Sequence, residues 1–210
     1  MTIHVIPCKS FKEARYKAVK LIMEKGKYSR DQREEKVKYI KHLIIEIPCD
    51  CCEDSDDKLT SLCDSAFATN LITGRHAGDG LQAHDYTYGE ELHFEEGLER
   101  TIILLEEHPE TRRAVIPLFK TKHIGNAEVP CMITTVWDIE DDYLNLTILG
   151  RSNEIAIAMK SDMKGFAELL KHVATTLDKE PGIIILHDIN AHCRVNSDMD
   201  EIKRILKEGY

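Results

Sequence analysis

Of the seven cysteines in this 210-residue chain, one stands where its neighbours could make it a nucleophile. Cys131 follows Pro130 near the head of the strand-like run "VPCMITTVW". The run before it opens on the adjacent Arg112 and Arg113, and the run after it closes on Arg151 and Ser152. Guanidinium forks bind phosphate oxygens bidentately and draw down the pKa of a thiol beside them. Consecutive β-elements that deliver arginines, a thiol, then an arginine with a hydroxyl therefore suit a phosphate monoester held beside a reactive cysteine. The denser group Cys49, Cys51, Cys52 and Cys63 suits zinc poorly. Structural zinc ligands come in pairs about two to four residues apart, whereas Cys51 and Cys52 are adjacent and point differently. In "HDINAH", His187 and His192 differ by five positions and so face opposite sides of a strand. No metal is expected.

The net charge of −9 opposes broad, non-specific binding to nucleic acid, so any phosphate site must be focused. Forty-two per cent apolar and 31% charged is ordinary for a globular chain, and no run of about 18 apolar residues exists to span a membrane. The start "MTIHVIPCKSFKEARYKAVK" lacks the pattern of a secretory leader. An odd number of cysteines leaves a thiol outside any disulfide scheme, which fits a reducing, cytoplasmic setting.

Elements must bring these side chains together. Ser10 caps a predicted helix with Phe11, Ala14, Ala18, Leu21 and Ile22 at helical spacing, and Gly26 ends it. Alternation predicts a strand over Val37 to Ile47, stopped by Pro48 and followed by a Cys-rich loop over 49–58. A helix is predicted over Lys58 to Leu71, a glycine-bearing loop over Thr73 to Gly80, and a helix in "EEGLERTIILLEEHPE" ending near His108. Strands follow at Arg113 to Phe119, Val129 to Trp137 and Tyr143 to Leu149, the last two joined as a hairpin by "IEDDY". A long amphipathic helix over Ser161 to Leu177, closed by Pro181-Gly182, precedes a buried strand "IIILHDI" and a last helix over Asp198 to Lys207. Residues 1–210 thus read as one α+β domain, a mixed and largely buried β-sheet packed with helices, with a Cys-rich and Gly-rich insertion at about 49–80.

The order of motifs from Tyr88 to His192 resembles the thymidylate synthase family, which also includes pyrimidine nucleotide hydroxymethylases. "YGEEL" is similar to the family's Tyr-Gly element, "HPETRRAVIPLF" to its Asn-Pro-x-Ser-Arg-Arg segment, "VPC" to its Pro-Cys nucleophile and "GRSNE" to its Gln-Arg-Ser-x-Asp. The short length is nearest to the archaeal members. The resemblance implies that Cys131 attacks C6 of a pyrimidine ring as thiolate and so makes C5 nucleophilic. C5 then takes one carbon from a reduced pterin, 5,10-methylenetetrahydrofolate or a methylenetetrahydromethanopterin-like donor. It also implies that Arg112, Arg113, Arg151 and Ser152, with Arg33 by family position, bind the 5′-phosphate of a pyrimidine nucleoside monophosphate. In the family the arginine pair crosses from the partner subunit, which implies a homodimer. His192 in "NAHCR" matches the histidine that binds the sugar, and Tyr88 and Glu154 would line the site.

The departures are informative. Eleven residues after Arg151, where thymidylate synthases carry the asparagine that reads uracil, this chain has Asp162. A protonated carboxyl can accept from the cytosine amino group and donate to N3, and it can also pair with uracil. Asp162 could instead simply cap the helix beginning near it. Gly150 replaces a glutamine, Met132 a histidine and Arg194 a tyrosine. Glu90 and Glu91 are substitutes for the family's catalytic glutamate. The expected activity is methylation of dUMP. The alternatives are hydroxymethylation of CMP or dCMP, and a nucleotide-binding module without catalysis.

Overall fold

The computed structural model describes residues 2–49, 58–75 and 86–210, with 58–64 as backbone only. Ser10 starts helix α1 (Phe11–Lys25) as the sequence predicts, its Oγ accepting from the Glu13 amide at 3.1 Å. Gly26 ends it without left-handed backbone; a Cβ there would lie 2.4 Å from the Ile22 carbonyl oxygen. Two short strands flank the helix, β1 (His4–Pro7) and β2 (Lys27–Arg30). Both lie along one edge of β3 (Lys36–Pro48), β1 parallel and β2 antiparallel. The sequence pattern missed them because β2 is exposed throughout and β1 is only four residues long.

Helix α2 (Lys58–Thr73) is followed by α3 (Tyr88–His93) and α4 (Gly97–Glu107). Thr87 and Glu90 form a capping box that starts α3. Left-handed Glu95 and Glu96 separate α3 from α4, so the predicted helix begins at Gly97. Cys51, Cys52 and the glycine-bearing stretch 76–80 lie outside the described residues.

The second half builds the sheet that carries the site: β4 (Val115–Pro117), β5 (Met132–Glu140), β6 (Tyr143–Gly150), β7 (Asn153–Glu154), helix α5 (Ala158–Thr176), β8 (Glu180–Arg194) and helix α6 (Met199–Glu208). The sheet order is β1-β3-β8-β6-β5-β4, with β2 beside β3 and β7 beside β8. Left-handed Asp141 makes the β5–β6 hairpin turn. β4 is shorter than the predicted Arg113 to Phe119, and β5 begins at Met132, which leaves Val129, Pro130 and Cys131 as a lead-in rather than strand. β8 is longer than predicted and includes Pro181 and Gly182, because Leu144 on β6 pairs with Pro181.

Leu43, Ile45, Leu146, Ile148, Ile184 and Leu186 are fully buried on the phase that meets α1 and α5. Each contributes about 1.5–3 kcal/mol of burial. The opposite phase, with Ile44, Leu149, Ile183 and Ile185, stays partly exposed, so helices cover one face of the sheet more fully than the other. Burial alternation slips by one at left-handed His42 on β3 and at Ile189–Asn190 on β8, while the pairing register holds. His187 and His192 therefore both fall on the less buried phase, where strict alternation would separate them. They take different partners: His187 Nε2 lies 3.3 Å from His42 Nδ1, and His192 meets Ser152.

Candidate active site

The lead-in to β5 is held by one arginine. The Arg151 amide donates to the Cys131 carbonyl at 2.9 Å, and Arg151 Nε and Nη2 donate to the carbonyls of Pro130 and Val129, both at 2.9 Å. The same Nη2 lies 3.8 Å from Cys131 Sγ. Of the guanidiniums that spacing brought toward the thiol, Arg151 is the one beside it among the described residues. Its electrostatic consequence is smaller than expected. Burial pushes the Cys131 thiol up; Arg151 and Arg33 pull it down without overcoming that burial, and Asp162 and Asp188 add to the rise.

Helix α5 brings Asp162 within electrostatic reach of the thiol. Asp162 sits in the second turn of the helix, so it does not cap it. Glu154 does that work. Its Oε1 accepts from the Ala156 amide at 2.9 Å, and its Oε2 from the amides of Ile157 at 2.7 Å and Ala158 at 3.1 Å. This is why α5 begins at Ala158, three residues before the predicted start. Burial, with the Glu154 charge second, pushes the Asp162 carboxyl up to about 7. Near neutral pH the group is therefore both a donor and an acceptor.

Tyr88 opens α3 with its hydroxyl oxygen accepting from the Met132 amide at 3.2 Å, so it braces the residue after the thiol. Ser152 Oγ lies 3.4 Å from His192 Nδ1, and burial holds the imidazole below its ordinary pKa. Arg33, on the exposed turn between β2 and β3, reaches Glu128 at 3.7 Å. Arg112 and Arg113 are exposed just before edge strand β4, and their guanidiniums have no partner among the described residues. Within one chain, then, Cys131, Arg151, Asp162 and Tyr88 come together, Ser152 and His192 form a second pair, and the Arg112–Arg113 pair stands apart.

The candidate glutamates are committed elsewhere. Glu90 Oε2 accepts from the Thr87 amide in the capping box. Glu91, 1% exposed, takes Lys120 Nζ at 2.5 Å, Lys122 Nζ at 2.7 Å and His123 Nε2 at 3.3 Å. Desolvation would raise this carboxyl, but the two lysines outweigh it and hold it low.

Two residues of the site escaped the sequence reading. Asp188 continues the buried phase of Ile184 and Leu186, so a carboxyl on the core side of an apolar strand was the available signal. Its Oδ2 accepts from Asn153 Nδ2 at 3.1 Å, its Oδ1 has no partner among the described residues, and burial drives its pKa well up. Gly150 opposite makes room: a Cβ there would lie 2.3 Å from Asp188 Oδ1. The other residue is Tyr86, whose ring centroid is 5.6 Å from that of Tyr88. A tyrosine on either side of a helix-capping threonine was its only trace in the sequence.

Comparison with known proteins agrees with this geometry. The family pattern described as "Thymidylate synthase" matches residues 77–208. The chain belongs to the thymidylate synthase family. A Methanosarcina mazei protein named "Putative thymidylate synthase" is 32% identical over 219 residues, covering 97% of this chain and 94% of that one. A Methanococcoides burtonii protein of the same name has the same identity and coverage. A Clostridium beijerinckii "Thymidylate synthase" is 27% identical over 100 residues, 47% of this chain and 38% of that one. Thymidylate synthases are methyltransferase-type enzymes of nucleotide biosynthesis that bind a pyrimidine nucleotide and use a folate-type one-carbon donor. The aminopyrimidine edge of such a donor presents N–H groups that suit a carboxylate. Here Glu154 accepts from three α5 amides, which leaves about one of a carboxylate's four acceptor sites for such an N–H, whereas Glu91 is buried and taken by two lysines and a histidine. Among the described residues no helix is long and apolar enough to cross a membrane.

Proposed function

We propose that this protein transfers a one-carbon unit from a reduced pterin to C5 of a pyrimidine nucleoside monophosphate by covalent catalysis through Cys131, most simply in the methylation of dUMP. The observation that carries the reading is the Cys131 sulfur held 3.8 Å from Arg151 Nη2 on a lead-in that Arg151 itself fixes. The sulfur forms a bond to C6, the C5–C6 π pair moves toward C5 and the C4 substituent, and C5 becomes the nucleophile. Asp162 meets the base edge, accepting from one ring position and donating to the next. His192, beside Ser152, takes the sugar side. Arg151 and Ser152, with Arg33, bind the 5′-phosphate. Arg112 and Arg113 complete the phosphate site from a second copy of the chain; their exposure, and guanidiniums without a partner among the described residues, suit that role, and the partly exposed sheet phase of Ile44, Leu149, Ile183 and Ile185 gives a homodimer a surface to bury.

Asp162 favours a second reading, hydroxymethylation of CMP or dCMP. A carboxyl that is partly protonated near neutral pH can donate to cytosine N3 and accept from the amino group. Nucleotides tritiated at C5 decide between them. Release of label from dUMP, abolished in Cys131→Ser, is expected; release from a cytosine nucleotide alone would replace dUMP with that nucleotide, and release from none would overturn the catalytic reading.

A further inference from the structure

Two histidines meet on the less covered face of the sheet. In the strand register His187 on β8 stands directly beside Ile44 of β3 and Leu149 of β6, with Ile185 two residues before it, so its imidazole sits among apolar side chains. On β1 the next residue along that row, Val5, is 60% exposed. His187 Nε2 lies 3.3 Å from His42 Nδ1, with the ring centroids 5.6 Å apart. His42 reaches it from left-handed backbone, φ 53°, unfavourable for a residue with a Cβ and held here although the β3–β8 pairing continues on both sides. The contact needs an N–H on one ring and a lone pair on the other, so at least one imidazole in it is neutral. Two imidazoliums would instead set N–H against N–H and two like charges side by side.

We propose that the His42–His187 pair makes association with a second copy of this chain dependent on pH: the face packs against its counterpart while the pair shares a hydrogen, and separates when both rings are charged. Separation takes Arg112 and Arg113 away from the partner's phosphate site, so the pair regulates that site. This rests on the homodimer reading above. An interface that buries Ile44, Leu149 and Ile185 takes His187 out of water with them, and a charge there then carries a desolvation cost. Association therefore opposes protonation, and by linkage protonation opposes association. Burial, with the His42 charge second, already holds His187 below its ordinary pKa. The surrounding groups are few. β3 brings exposed Lys41 next to His42 and exposed Glu46 beside Ile185, one row further along; β1 brings His4 beside buried Leu43; β6 brings Thr147 and Leu149, both uncharged; and on β8 Asp188 belongs to the buried phase. Helices α1 and α5 pack on the other face.

The test is the dimer dissociation constant of the full chain, measured by analytical ultracentrifugation at pH 7.5, 6.5 and 5.5. Each proton taken up on separation raises that constant about tenfold per pH unit once pH is below the titration of the ring, so a rise of more than about tenfold between pH 7.5 and 5.5 is expected for wild type. The double variant His42→Asn with His187→Gln removes both titrating rings and keeps at position 42 a residue that tolerates left-handed backbone. Its constant should stay within about threefold across the range. His187→Leu, which keeps the face apolar should the double variant not fold, should cut the rise at least about threefold. A wild-type constant unchanged with pH, or one that rises equally in the variants, would overturn the switch and leave the homodimer standing. A wild type already monomeric at pH 7.5 would overturn the homodimer reading, and the switch with it.

Discussion

Asp162→Asn should stabilise the protein at neutral and alkaline pH and leave it unchanged in acid. In the fold, burial and Glu154 raise the Asp162 carboxyl from its ordinary 3.8 to about 7. The folded state therefore binds a proton that the unfolded state has lost between about pH 4 and pH 7. Stability must fall as pH rises through that window and level off above it. The rise corresponds to about 4 kcal/mol at pH 8, or about 2 kcal/mol if the solvent that reaches the carboxyl screens half of it. Asparagine has no such proton and escapes the penalty. Urea unfolding at pH 4.5, 6 and 8, at one protein concentration so that association does not intrude, measures it. The midpoints of the two proteins should nearly coincide at pH 4.5 and separate by pH 8, with the asparagine form ahead. A constant difference across pH, or a wild type ahead at pH 8, would refute the assignment of a desolvated carboxyl at this position.

Other consequences are as direct. Gly150→Ala should cost about 1–3 kcal/mol in urea unfolding, since its Cβ would meet Asp188 Oδ1 at 2.3 Å; a smaller Asp188→Ser partner should recover part of the loss. Glu91→Gln should cost about 3 kcal/mol by leaving Lys120 and Lys122 without their carboxylate. Because that carboxyl is held low, the difference from wild type should be full above the ordinary carboxylate range and shrink as pH falls below it. If Arg113 serves the partner's site, mixing the inactive variants Arg113→Ala and Cys131→Ser should restore activity toward about a quarter of wild type, as random mixed dimers with one intact site require. A mixture as inactive as its parts would place Arg113 with its own chain's thiol or outside the site.

What could be read from the sequence is what local periodicity and spacing record. Ser10 and Gly26 bound α1 because caps are local chemistry, and the Arg151–Cys131 approach followed from two strands joined by a tight turn. The start of α5 was misplaced because its cap comes from Glu154, four residues upstream of Ala158 and apart from the apolar pattern. The slip at His42 and Ile189 reversed the expected facing of His192, since a left-handed histidine within a strand leaves no trace in alternation. Asp188 was passed over because the room for it depends on Gly150, which is distant in sequence and adjacent only across the β6–β8 pairing. The arginine pair was legible as adjacent guanidiniums ahead of a strand, but its place apart from Cys131 was not, because it precedes a strand at the sheet edge.

The central claim is that Cys131 bonds to the pyrimidine. It is tested most directly by incubating the protein with 5-fluoro-substituted pyrimidine nucleotides and a reduced pterin, digesting, and weighing the peptides. The account predicts nucleotide mass on the Cys131 peptide alone, absent from Cys131→Ser; an adduct on another cysteine, or none with either base, would contradict it.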